Sequence, residues 1–112
     1  MSIVWPTSYR IKSRDWRIRY LPKDAPELED DGDYLLGSCD TTTHEILICS
    51  DQVPSSMADT LWHELTHACF ATAPMAGACE DPEDEEENVV LFATEAAFEI
   101  IRNAESEWWR AG

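Results

Sequence analysis

The spacing of apolar residues changes along the chain, and this change most narrows the folds that the sequence can adopt. From Tyr9 to Tyr20, apolar and polar residues alternate, which is the period of two expected of half-buried strands. From Ser56 to Ala71, and again beyond Pro82, apolar residues recur every three or four positions, as on one face of a helix. A chain of 112 residues has room for one domain. The sequence therefore predicts a single α+β domain over residues 1–112.

Two hairpins are predicted in the N-terminal half. The first joins its strands at Ser13-Arg14-Asp15. The second joins YLLGS to HEILICS across residues 39–43, and its second strand, Glu45–Cys49, is apolar enough to be buried on nearly both faces. Between the hairpins, the charged segment LPKDAPELEDDGD is predicted to be an exposed loop. Together these segments predict a small, mostly antiparallel sheet of three or four strands.

Two helices are predicted to cover this sheet. Ser56 and Asp59 resemble a capping box and would start a helix that ends near Ala71. The second helix is expected to begin near Pro82, because Asp81 is a good N-cap residue and proline is tolerated at the first helical position. The first helix would face the sheet with Leu61, Leu65, Ala68 and Cys69.

The charge balance excludes several classes of partner. The chain has 23 acidic and 8 basic residues, a net charge of −15, so it would be repelled by nucleic-acid phosphates and by anionic membranes. There is no apolar run long enough to cross a bilayer and no signal-peptide pattern at the start. A cytoplasmic location is expected. The four cysteines have no C-x-x-C spacing and are expected to be reduced thiols that bind no metal.

The first predicted helix contains the motif HExxH, as His63-Glu64-Leu65-Thr66-His67. Residues four apart share a helix face, so both imidazoles can reach one zinc ion. Glu64 would lean over the remaining coordination position, where it could act as a general base on a zinc-bound water. The motif therefore predicts one Zn²⁺ per chain, bound by His63 and His67.

A catalytic zinc needs a third protein ligand. The extended motif HExxHxxGxxH fails, because position 70 is Phe and position 73 is Ala. The only other histidine, His44, lies upstream near a strand, and we assign it no role. A carboxylate is therefore expected, and the glutamates at the start of the second helix are candidates.

The HELTH helix followed by the EENVV stretch, residues 86–90, resembles the gluzincin metallopeptidases. It is most similar to the minimal gluzincins encoded by phages and prophages, which are related in pattern to the ImmA/IrrE-like peptidases. The resemblance covers residues 44–103 and implies a glutamate ligand on the second helix. Glu87, the second glutamate of the stretch, is favoured as this ligand. Glu86 is the alternative, since it shares a helix face with Val90 and Ala97.

The resemblance implies zinc-dependent hydrolysis of peptide bonds in a protein or peptide substrate, in the host cytoplasm if the chain is phage-encoded. An extended substrate would pair with an edge strand before the helix, here expected at Glu45, Ile46, Leu47 and Ile48. In such families the ligand glutamate is often followed four residues later by a carboxylate or amide, whereas Val90 or Leu91 stands there in this chain. A non-catalytic metal-binding adaptor is therefore one alternative function. An acidic nucleic-acid mimic is another.

Two adjacent tryptophans, Trp108 and Trp109, stand near the end of the chain. Such large apolar side chains either dock a terminal segment on its own core or form a contact with a second copy or another partner. The sequence leaves both interpretations open.

Overall fold

A computed structural model describes residues 3–11, 13–72, 93 and 96–110. The predicted second helix start near Pro82 and the candidate ligands Glu86 and Glu87 lie outside these residues. The strands are β1 (Ser8–Ile11), β2 (Arg14–Leu21), β3 (Glu29–Asp30), β4 (Asp33–Tyr34), β5 (Gly37–Asp40) and β6 (Glu45–Cys49). Helix α1 spans Pro54–Thr72, residues 96–102 are helical and are called α2 here, and 3-10 turns occur at Pro26–Leu28 and Trp108–Arg110.

Four strands form the main sheet, in the order β1-β2-β6-β5. The pairs β1–β2 and β5–β6 are antiparallel, as the two predicted hairpins require. The pair β2–β6 is parallel, with Ile18 opposite Ile46 and Tyr20 opposite Ile48. The sheet is therefore mostly antiparallel, and with two helices it gives the predicted α+β fold.

The hairpin turns differ in detail from the prediction. Strand β2 already begins at Arg14, and Ser13 makes the turn with a positive φ of 72°. The first strand of the second hairpin is Gly37–Asp40, which lies further along the chain than the predicted YLLGS. In its turn, the Asp40 carboxylate accepts hydrogen bonds from the backbone N–H groups of Thr42 and Thr43, at 2.8 and 3.2 Å. These bonds fix the loop and lower the pKa of Asp40.

The segment between the hairpins is more ordered than the predicted exposed loop. It contains the 3-10 turn Pro26–Leu28 and the two-stranded ribbon β3–β4. Leu28 is completely buried and packs with Ala25 and Cys49 in a small second core. The segment is still acidic, but a few apolar residues anchor it against the end of the sheet.

Helix α1 begins two residues before the predicted capping box. Pro54 is its first residue, where the missing N–H costs nothing, and the carbonyl of Val53 accepts the N–H of Met57 at 3.0 Å. The capping-box prediction is therefore wrong, because Ser56 lies within the first turn. Its hydroxyl instead donates to the side-chain oxygen of Gln52 at 2.7 Å.

One face of the sheet packs on the two helices. Leu61, Leu65 and Ala68 of α1 are completely buried and Cys69 is nearly so, as predicted. They belong to one apolar cluster with Tyr9, Ile11, Trp16, Ile18, Ile46 and Ile48 of the sheet and with Ala96 and Ile100 of α2. The Tyr9 hydroxyl donates a hydrogen bond to the carbonyl of Ile100, which links α2 to β1.

Among the described residues, no helix has the length and apolar composition needed to cross a membrane.

The two tryptophans near the end of the chain dock on their own domain. Trp108 is completely buried, and its ring packs edge-on against Tyr9 with the centroids 6.4 Å apart. Trp109 is half-buried against the same core. The structure favours the docking interpretation for Trp108, whose side chain is covered by its own chain. A contact of Trp108 or Trp109 with a second copy or another partner stays a prediction.

Candidate metal centre

Helix α1 brings the two motif histidines together on its exposed side. The Nε2 atoms of His63 and His67 are 3.1 Å apart, and the ring centroids are 4.7 Å apart. This convergence follows from the i, i+4 spacing on an α-helix, which places both side chains on one face. Both rings are exposed, so a ligand can reach the nitrogens from solvent.

The separation of the two nitrogens fits a shared zinc ion. Two imidazole nitrogens bound to a tetrahedral zinc at its usual bond length are about 3.3 Å apart. The observed 3.1 Å is close to that value. In the metal-free protein the same distance suits an N–H···N hydrogen bond between the rings, which would hold both nitrogens in position. The donor set and its geometry are therefore suited to zinc.

Glu64 lies beneath the two histidines, where α1 meets β5. Its side chain is only 7% exposed, which is unusual for a carboxylate. Burial raises the pKa of Glu64, while the charges of His63 and His67 lower it in part. A buried carboxyl with a raised pKa is a better proton acceptor than a solvated one. This environment is suited to a general base.

The close approach of β5 to this carboxylate depends on Gly37. A Cβ atom at Gly37 would lie 2.7 Å from Cγ2 of Thr60 and 3.1 Å from Cγ and Oε2 of Glu64. Both distances are shorter than ordinary contacts, so any side chain here would push β5 away from α1. Gly37 was not among the residues predicted for the site, although a glycine within a strand is a recognised signal of close packing.

We expect Gly37→Ala to lower the free energy of unfolding by about 1–3 kcal/mol, because the added methyl group overpacks the contact between β5 and α1. Urea unfolding followed by circular dichroism measures the change. Ser38→Ala is the matched control, since it alters the next residue of the same strand without adding atoms to this contact. Equal stability of Gly37→Ala and the wild type would contradict the described packing.

The strand that was predicted to bind the substrate at the edge of the sheet is not an edge strand. Residues Glu45, Ile46, Leu47 and Ile48 lie in β6, which pairs with β2 on one side and with β5 on the other. Ile46 and Ile48 are also completely buried. Because both sides of its backbone are engaged within the sheet, β6 cannot accept another strand. The edge next to α1 is β5, whose other side has no strand partner among the described residues.

The third ligand of the predicted zinc site does not lie among the described residues. Among the described residues, no group of three His, Cys, Asp or Glu side chains could hold a metal ion. The third ligand stays a prediction for Glu87 or Glu86.

His44 lies in the turn before β6 with a φ of 59°. Its ring packs edge-on against the ring of Trp16, with the centroids 5.0 Å apart. Its ring therefore packs against the sheet, and its lack of a role stays a prediction.

Three of the cysteines are described, Cys39, Cys49 and Cys69, and none of them is in a disulfide bond. Burial, followed by the nearby charges of Glu64 and Asp40, raises the pKa of Cys39 to about 12. The Cys39 thiol therefore stays protonated at neutral pH. That the cysteines bind no metal stays a prediction.

Comparisons of this chain with known protein families, with curated proteins and with solved structures find no match.

Proposed function

We propose that this protein is a zinc-dependent peptidase built on a minimal gluzincin-like domain. The observation that supports this function best is the convergence of the His63 and His67 Nε2 atoms, 3.1 Å apart, beside the buried carboxylate of Glu64. The resemblance of the HELTH helix to the gluzincins points to the same chemistry. Ordinary surface histidines of a helix would not require a carboxylate buried between them and the sheet.

The zinc ion would be held by His63 and His67 together with a carboxylate, Glu87 or its neighbour Glu86. When bound, zinc lowers the pKa of a coordinated water and polarises the scissile carbonyl group. The two imidazoles must be neutral to bind the ion, so zinc affinity is expected to fall in acid.

Glu64 would transfer the proton in this reaction. It accepts a proton from the attacking water and later delivers it to the nitrogen of the leaving amine. Its burial supports this role, because the raised pKa brings the carboxyl closer to the pH at which it must both accept and release a proton. The close contact of Glu64 with β5 at Gly37 restricts the positions that its side chain can take.

Strand β5 would hold the substrate. An extended peptide can add to the unpaired edge of a sheet through main-chain hydrogen bonds. Strand β5 lies at that edge, and a side chain at its Gly37 would collide with Glu64, so a peptide paired with β5 would pass close to the carboxylate. This proposal replaces the predicted role of β6.

We expect the protein purified without chelator to contain about one zinc per chain, a stoichiometry typical of three-ligand catalytic sites. A zinc chelator should abolish cleavage of a quenched fluorescent peptide library, and added zinc should restore it. Elemental analysis and fluorescence measure the two results. Protein that binds no zinc, or cleavage that continues unchanged in the metal-free protein, would contradict the proposal.

A metal-binding adaptor without turnover is the second candidate function. It is favoured by one observation in the sequence, the apolar Val90 or Leu91 four residues after the candidate ligand. A supporting carboxylate or amide at this place would orient the metal ligands, and its absence would leave them less well positioned for catalysis. Zinc binding without cleavage of any peptide in the library would support this function.

A further inference from the structure

A groove of about 530 Å³ adjoins His63 and Glu64. Its walls are the segment from Tyr34 to Gly37 on one side and helix α1 on the other. Tyr34 and Leu36 line it, and each exposes 55% of its surface. Large apolar side chains that are exposed along a groove are suited to contact the apolar part of a ligand. The groove thus offers an apolar wall next to the proposed catalytic residues.

The opposite wall carries a negative charge. Asp59 lines the groove, is exposed, and lies four residues before His63 on the same face of α1. None of the described residues that line the groove is a lysine or arginine. The salt bridges of the described residues involve other carboxylates, those of Asp15, Glu27, Glu45 and Glu107. Within the described part of the chain, the charge of Asp59 therefore has no basic partner.

The surroundings of the groove are also acidic. Tyr34 belongs to the ribbon β3–β4, whose acidic side chains are all exposed: Glu29, Asp30, Asp31 and Asp33. Four of the six arginines lie on β1 and β2, at the other side of the sheet from β5, and the other two lie outside the sheet, on α2 and in the 3-10 turn Trp108–Arg110. The sheet therefore separates its charges, with the basic residues at the β1–β2 side and the acidic residues beside the groove. Such a distribution attracts cations to the groove.

We propose that this groove binds a lysine or arginine side chain of a peptide, with Asp59 as the residue that determines this specificity. The inference rests on the proposed function, because it takes that peptide to be the substrate. Lysine and arginine combine an apolar stem with a cationic end. The stem would pack on Leu36 and on the ring of Tyr34, which also attracts the cation through its π face. The cationic end would reach the Asp59 carboxylate.

The test measures peptide binding in zinc-loaded Glu64→Gln protein, so that cleavage does not interfere. The probes are three blocked, fluorescent hexapeptides of alanine that differ only in one central residue: arginine, norleucine or glutamate. Fluorescence anisotropy should show that the arginine peptide binds roughly threefold to tenfold more tightly than the norleucine peptide, the range expected of an exposed ion pair aided by a cation–π contact. The glutamate peptide should bind most weakly, and added salt should reduce the differences.

Adding Asp59→Asn to this protein should remove most of the preference for the arginine peptide and leave only the part that comes from the ring of Tyr34. Asp24→Asn is the matched control, because it removes the same charge from an exposed residue that does not line the groove. Three results would overturn the inference: equal binding of the arginine and norleucine peptides without Asp59→Asn, no binding of the arginine peptide, or a preference for arginine that Asp59→Asn does not reduce. If the preference holds but wild-type protein cleaves none of the three peptides, the inference about the groove stands and the proposed peptidase function fails for these sequences.

Discussion

Replacing Glu64 by glutamine should leave one zinc bound per chain while peptide cleavage falls by about 10²-fold to 10⁴-fold, the usual contribution of a general base. Glutamine keeps the size of the side chain but cannot accept the proton of the attacking water. The loss corresponds to roughly 3 to 5 kcal/mol of activation free energy. Because burial already disfavours the charge of Glu64, a neutral amide in its place should not lower thermal stability.

Initial rates of cleavage, zinc content and the melting temperature should be measured on the same preparations. Glu105→Gln is the matched control, since it makes the same chemical change at an exposed residue near the end of the chain. Cleavage by Glu64→Gln as fast as by wild type would show that the HELTH helix is not the catalytic centre. Loss of zinc in Glu64→Gln would show instead that this carboxylate binds the metal.

The local features of the fold could be predicted from the sequence because they depend on near neighbours. Alternation between Tyr9 and Tyr20 predicted the first hairpin, and the helical spacing after Ser56 predicted the face of α1 that packs on the sheet. The order of the strands could not be predicted in this way. The chain leaves β2, forms β5 at the edge and then inserts β6 between them. Nothing in a local pattern specifies that insertion.

The composition of β6 nevertheless contained a signal that conflicted with its predicted role. A strand that accepts a substrate needs a free edge, whereas EILIC is an almost continuous apolar run, which is typical of a strand covered on both faces. In the structure β6 is an inner strand, as this composition favours. The edge strand β5 has the small residues GSCD, and its Gly37 permits the contact with Glu64. The strand next to the site is therefore distinguished by its small side chains and not by apolar ones.

The candidate site was predicted as far as a single helix determines it. The spacing of HELTH fixes how His63 and His67 converge, and the structure confirms that their Nε2 atoms meet. The burial of Glu64 could not be predicted, because it depends on β5 and not on the helix. The third ligand requires a contact between two distant segments, and Glu86 and Glu87 lie outside the described residues.

We expect His67→Ala to abolish zinc binding and with it peptide cleavage. The two remaining protein ligands would not retain the ion. Water would take the place of the lost imidazole, but it binds zinc less tightly. Both motif imidazoles are exposed, so the metal-free variant should be nearly as stable as the metal-free wild type. The stability difference should therefore appear only when zinc is present.

Thermal unfolding with and without zinc separates these contributions. Zinc at 100 to 1,000 times its dissociation constant should stabilise the wild type by about 2.7 to 4.1 kcal/mol, and it should leave the melting temperature of His67→Ala unchanged. His44→Asn is the matched control: it also removes a histidine, and asparagine accepts the positive φ found there. That variant should bind zinc as the wild type does. If zinc raised the melting temperature of His67→Ala as much as that of the wild type, the metal would bind elsewhere. The HELTH helix would then not form the zinc site.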